Sequence, residues 1–226
     1  MVFNRYAARV THTLWELIKA GDWPVIPLVL CSVLVLGIVL ERAWSLQRRR
    51  VLPAGLLGQV QRWCAAGEVD ASRIEALRRH SALGRVLAAV LMHGGEDRQR
   101  QRENVEDTGR HVMLELERYL NMLGTLATVS PLIGLFGTVI GMIETFNAIS
   151  LTGLGAPEKL AGGIAIALVN TAFGLFVAIP AYIFHRYYRG RVEELVADLE
   201  RQASELVEFL SQRTARLNRE RQVRRA

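Results

Sequence analysis

The chain has 226 residues, half of them hydrophobic, with 28 Lys and Arg against 22 Asp and Glu and a pI near 9.9. In a soluble protein that charge would suggest nucleic acid, but no aromatic platform interleaves the arginines, so no nucleic-acid partner is expected. Nor is this an ordinary soluble domain, because the apolar residues are pooled into runs rather than spread along the chain.

In chain order, the first run lies between Asp22 and Glu41 and holds 18 uncharged residues. It is followed directly by Glu41, Arg42 and Arg48-Arg49-Arg50, with no small-residue cleavage site, so it reads as an uncleaved anchor. Trp23 and Trp44 bracket it, where amphipathic rings lie at the two membrane interfaces. Two further runs of 25 residues each, from Arg118 to Glu144 and from Lys159 to His185, match or exceed the roughly 20 residues needed to cross a bilayer as a helix. The fold class expected is therefore an all-α membrane protein with three transmembrane helices and long cytoplasmic helical extensions.

Between the first two runs the pattern is helical. Ile74, Leu77, Leu83, Val86, Leu87, Val90 and Leu91 recur at three- and four-residue spacing over 72–92, and His93-Gly94-Gly95 ends them as a C-cap would. Residues 103–118 contain little Gly or Pro, which predicts that the second membrane helix continues into the cytoplasm. In the tail, Val196, Leu199, Ala203, Leu206 and Leu210 form a helix-helix seam, read either as packing on the same chain or as a contact between subunits. The charged stretch 213–226 is expected to be mobile.

Three basic residues precede the first span, 14 lie from Arg42 to Arg118, Lys159 alone separates the second and third spans, and 10 follow from Arg186. By the positive-inside rule the 42–118 segment and the tail are cytoplasmic, and the N-terminus and short second loop face outward. The expected segments are 1–22 outward or interfacial, 23–43 first span, 44–116 cytoplasmic helical region, 117–148 second span, 149–159 periplasmic loop, 160–186 third span and 187–226 cytoplasmic helix and tail.

No metal-ligand spacing joins His12, His80, His93, His111 and His185, and no nucleophile elbow, phosphate loop or zinc signature occurs. The sequence thus gives no catalytic residues, metal or cofactor, and no enzyme. Cys31 falls inside a span and Cys64 on the cytoplasmic side, so no disulfide is expected.

The chemistry concentrates in the second and third spans. Gly163, Ala167, Asn170, Thr171, Gly174, Ala178 and Ala181 make one stripe of small or polar residues; Ser130, Gly134, Gly137, Thr138, Gly141 and Thr145 make another. Such stripes let membrane helices approach closely, which is the packing role expected of Gly134, Gly137, Gly141 and Gly174. Thr138 and Thr171 each lie 10 or 11 residues from the outer end of their span, roughly 15 Å at about 1.5 Å per residue, a mid-bilayer depth. A threonine can bond back to a carbonyl one turn earlier, whereas the Asn170 amide needs protein or water. Polar groups at one depth on two helices suggest a lined path through Thr138, Asn170 and Thr171.

These same residues carry a family resemblance. SPLIGLFGTVIGMIETF (130–146), GGIAIALVNTAFGLFVAIPA (162–181) and the LERYLN entry into the second span resemble the MotA/TolQ/ExbB proton-channel family, in its ExbB/TolQ branch. The resemblance implies a homopentamer in the bacterial inner membrane, enclosing the single spans of an ExbD- or TolR-like partner that carries the titrating aspartate. Proton flow would then drive a TonB- or TolA-like periplasm-spanning protein. The pore-lining threonines of the family match Thr138 and Thr171. Many members carry glutamate in the pattern GIAEAL, where this chain has Ile166, which cannot titrate. Glu144 is read either as an outer-mouth acid or as an interfacial carboxylate facing headgroup water. The alternative function is a non-conducting membrane scaffold in such a complex; a substrate transporter lacks support, because three spans show no inverted repeat or broken helix.

Overall fold

A computed structural model describes residues 23–93, 98–152 and 157–225, and every regular element in them is helical. The helices are α1 (Val25–Ser45), α2 (Arg48–Val51), α3 (Leu56–Ala66), α4 (Ala71–His80), α5 (Ala82–Met92), α6 (Arg98–Leu116), α7 (Leu120–Thr152) and α8 (Pro157–Arg225). Three stretches are long and apolar enough to cross a membrane, within α1, α7 and α8. The chain divides into two compact units, one of Met1–Glu41 with Tyr119–Arg186 and one of Arg42–Arg118 with Tyr187–Ala226.

In the first unit, α1 begins where Pro is tolerated: Pro27 stands in its first turn, where the missing N–H would have had no helical partner. Val25, Leu28, Cys31, Val35, Ile38 and Val39 are buried at three- and four-residue spacing, while Ile26, Leu30, Val33, Leu36 and Leu40 are all at least 60% exposed. A fully apolar helix that buries one face in protein and exposes the other is suited to lipid on the exposed side. The Trp23 ring meets Phe136 of α7 edge-on, with centroids 6.1 Å apart. That contact ties the start of α1 to the middle of α7.

The second unit contains the connection between the first two spans. The pattern over 72–92 is two helices rather than one, because Ser81 is extended (φ −163°, ψ 171°) and its Oγ accepts the Gly84 N–H at 3.0 Å, capping α5. Leu83, Val86, Leu87 and Val90 of α5 are fully buried, with Val112 and Leu116 of α6 and Val60 and Cys64 of α3 also inside. Burial raises the Cys64 thiol above its ordinary pKa, partly opposed by the Arg213 guanidinium. Arg85 and Glu115 form a two-pronged ion pair, with N···O distances of 2.7 and 2.6 Å. The glycines expected to close this region, Gly94 and Gly95, lie outside the described residues.

The expectation of one helix running from 103 into the second span is not met. Residues 117–119 form a turn, with Tyr119 in the left-handed region (φ 65°), and α7 starts afresh at Leu120. Neither Gly nor Pro marks this break, which is why composition does not reveal it. Beyond this break, α1 runs to Ser45, α7 to Thr152, and α8 starts at Pro157.

The tail is helical through Arg225. Its Arg, Glu and Gln are good helix formers, so a charged composition does not itself break the helix. The buried stripe is Tyr188, Val192, Leu195, Leu199, Ala203 and Leu206, with Val196 and Leu210 only half-buried. Part of the expected seam is therefore displaced around the helix, and it packs on the same chain. Asp198 pairs with Arg48 at 2.7 Å, and Arg213 donates to the Ala65 carbonyl at 3.3 Å.

Candidate functional site

Within the first unit, α7 and α8 meet antiparallel through their small residues. A Cβ placed on Gly134 would lie 2.8 Å from the Asn170 carbonyl oxygen and 3.1 Å from the Thr171 Cα. One on Gly174 would lie 2.7 Å from the Ser130 carbonyl oxygen and 3.1 Å from the Gly134 Cα. These neighbours are backbone atoms, so only hydrogen fits unless the helices part. Further along, a Cβ on Gly137 would fall 2.9 to 3.1 Å from the Asn170 side chain, and one on Gly141 would fall 3.3 Å from the Ala167 Cβ. Thr145 fills the space beside Gly163 in the same way. Without side chains at these positions, the backbones come close enough for the Asn170 side chain to lie flat over Gly137.

The polar groups on this face divide into two kinds. Ser130 Oγ donates to the Leu126 carbonyl, Thr138 Oγ1 to Leu135 and Thr145 Oγ1 to Gly141, each at 2.6 Å. Those hydroxyls satisfy themselves on their own helix, as threonine and serine in a membrane helix can. Asn170 Oδ1 and Thr171 Oγ1 do not: both atoms are buried and neither has a hydrogen-bond partner among the described residues. Asn170 is 1% exposed. A buried polar atom left unpaired costs about 1–3 kcal/mol, and two on consecutive residues are far from the usual economy of a folded interior.

The structure therefore brings Gly134, Gly137, Gly141 and Gly174 together with Asn170 and Thr171. Thr138 is next to Gly137 and half-buried. Glu144 is exposed, while its neighbour Thr145 and Gly141 face α8, so the structure does not bring Glu144 to Asn170 and Thr171. Ile166 is half-buried, one residue before the Ala167 that meets Gly141. Among the described residues no group of three His, Cys, Asp or Glu could hold a metal ion.

One residue of this contact escaped the sequence reading. His185 packs on α7 so closely that a Cβ on Gly124 would lie 3.0 Å from its Nε2. The signal was present, since Gly174, Ala178, Ala181 and His185 continue the stripe at spacings of four, three and four.

Fold and site together define a multi-pass membrane protein in which two spans close-pack through glycine around a pair of unpaired polar groups. The chain belongs to the MotA/TolQ/ExbB proton channel family, whose model matches residues 78–201, more than half of its length. It is 32% identical over 184 residues to the biopolymer transport protein ExbB-like 1 of Synechocystis sp., covering 80% of this chain and 72% of the relative. It is 30% identical over 195 residues to a biopolymer transport protein ExbB homolog of Methanothermobacter thermautotrophicus, covering 83% and 67%. The Tol-Pal system protein TolQ of Haemophilus influenzae is 45% identical over a shorter stretch of 83 residues, 37% of this chain and 36% of TolQ. Membership and the three apolar helices make this an inner-membrane protein of the ExbB/TolQ branch.

Proposed function

We propose that this protein is the proton-conducting subunit of a biopolymer transport complex in the bacterial inner membrane, and not an enzyme. A homopentamer of it encloses the single spans of an ExbD- or TolR-like partner whose aspartate takes up and releases the proton, and the motion is passed to a TonB- or TolA-like protein. The N-terminus is periplasmic and the C-terminus cytoplasmic. The observation that carries the reading is the adjacent pair Asn170 Oδ1 and Thr171 Oγ1, buried polar atoms without a hydrogen-bond partner among the described residues. In the assembled complex they, with Thr138, are met by water or by the partner's carboxyl, which is what a protein-enclosed proton path requires. Ile166 contributes no titration, so the exchangeable proton belongs to the partner. Glu144 is exposed and serves at the outer mouth, where it attracts cations without entering the path.

The test is proton flux into liposomes containing the protein with its co-purified small membrane partner, comparing wild type with Thr171→Val, which removes only the hydroxyl. Flux should fall by at least about tenfold, since one hydrogen bond to a charged group contributes about 1.5–3 kcal/mol. Equal flux in the two proteins would remove Thr171 from the path.

A second reading, a non-conducting scaffold, draws on a specific observation: the glycine stripes are used up in packing α7 on α8, and Thr138 closes on its own helix. Wild-type complex that never conducts in the same assay would favour it.

A further inference from the structure

The second unit contains a cavity of about 490 Å³ whose lining includes Arg42, Arg48, Arg49, Arg191, Gln47 and Tyr187. Four arginines line it, and none of the described lining residues is acidic. Arg42 forms its inner wall: it is 3% exposed, and its Nη1 donates to the Leu116 carbonyl at 3.0 Å. Arg48 is tied to Asp198 and Arg191 to Glu194, each at 2.7 Å, and neither acid reaches the lining. Arg49 pairs with no carboxylate among the described residues and is exposed. The lining thus offers arginines and no carboxylate, and guanidinium forks match the geometry of a phosphate.

What kind of phosphate follows from the chain. Counted along α1 and α8, Arg42 comes two residues after Leu40, the last residue of the first apolar run, and Tyr187 three residues after Phe184, the end of the third. At about 1.5 Å per residue those positions are roughly 3–5 Å beyond the apolar runs, within the headgroup layer of a bilayer. Trp44 and Tyr187 are 59% and 63% exposed, as aromatic residues at that layer are, and Trp44 carries the Arg50 guanidinium 3.5 Å from its ring centroid. We propose that this cavity binds a phosphate group and that the phosphate is supplied by the headgroup of an anionic phospholipid. The site anchors the inner ends of the first and third spans to acidic lipid, and it stands independently of whether the protein conducts.

The experiment uses the full-length protein reconstituted in phosphatidylcholine vesicles doped with phosphatidylglycerol, and reads by native mass spectrometry the ratio of the two lipids that stay bound. Wild type should retain phosphatidylglycerol above its share of the vesicle. Arg49→Gln and Arg191→Gln should each lower that enrichment by about fivefold, the effect of one arginine near an anionic surface, whereas Arg219→Gln should leave it unchanged. Arg49 is exposed, so its variant keeps the fold even if Arg191→Gln does not, and an unchanged melting temperature verifies this. Enrichment that survives Arg49→Gln, or that falls equally in Arg219→Gln, overturns the site. A parallel titration with inorganic phosphate separates the sources: if phosphate binds with the same sensitivity to Arg49→Gln while phosphatidylglycerol is not enriched, the lipid assignment is wrong.

Discussion

Gly134 and Gly37 both lie in apolar helices, and they differ in what a side chain would meet. A Cβ on Gly37 has nothing within 4 Å, whereas one on Gly134 would run into the backbone of Asn170 and Thr171. Alanine at Gly37 gains up to about 1 kcal/mol of helix propensity with no steric cost. Alanine at Gly134 forces α7 from α8, with an overpacking penalty of about 1–3 kcal/mol. Thermal melting in detergent should therefore show Gly134→Ala several degrees below wild type and Gly37→Ala at or above it. Identical melting of the two variants would mean that the close approach at Gly134 is not needed. Gly137→Ala should fall between them, because its new methyl meets the Asn170 side chain rather than backbone.

At the scale of elements, two breaks divide what the apolar pattern reads as continuous helix. At Ser81 the side chain takes over a backbone donor of α5, and removing the hydroxyl in Ser81→Ala should destabilise by about 1 kcal/mol, read from denaturant unfolding. At Tyr119 the cause is a positive φ, which an L-residue adopts at a cost that glycine escapes. Comparing two variants that both lack the ring isolates that cost: Tyr119→Gly should be more stable than Tyr119→Ala by about 1 kcal/mol. The reverse order would show that the turn between α6 and α7 straightens once the tyrosine is gone.

For the molecule as a whole, the basic residues should decide which side of the membrane each end occupies. In a background with Cys31→Ala and Cys64→Ala, a membrane-impermeant maleimide added to intact cells should label Leu154→Cys, and should label Gln222→Cys only after permeabilisation. Labelling of Gln222→Cys in intact cells would invert the proposed topology. Were Cys64 kept in place it would react slowly, because it is buried and burial raises the pKa of its thiol.

Three spans, their order and the two small-residue stripes were legible in the sequence, because membrane crossing demands uncharged runs of fixed minimum length and close helix packing demands small residues at helical spacing. Asn170 and Thr171 stood out for the same reason: polarity inside such a run is local information. What the tertiary structure decided was which polar groups are satisfied. Thr138 and Ser130 turn back on their own helices, while Asn170 Oδ1 and Thr171 Oγ1 have no partner among the described residues. Composition cannot separate these cases, since each depends on the rotamer and on the helix opposite. The break at Tyr119, the burial of Arg42 against the Leu116 carbonyl and the rotation of the tail seam toward Val192 and Leu195 are of the same kind. The last two are set by contacts between residues distant in the chain, and the first by a backbone angle, none of which a local apolar pattern encodes.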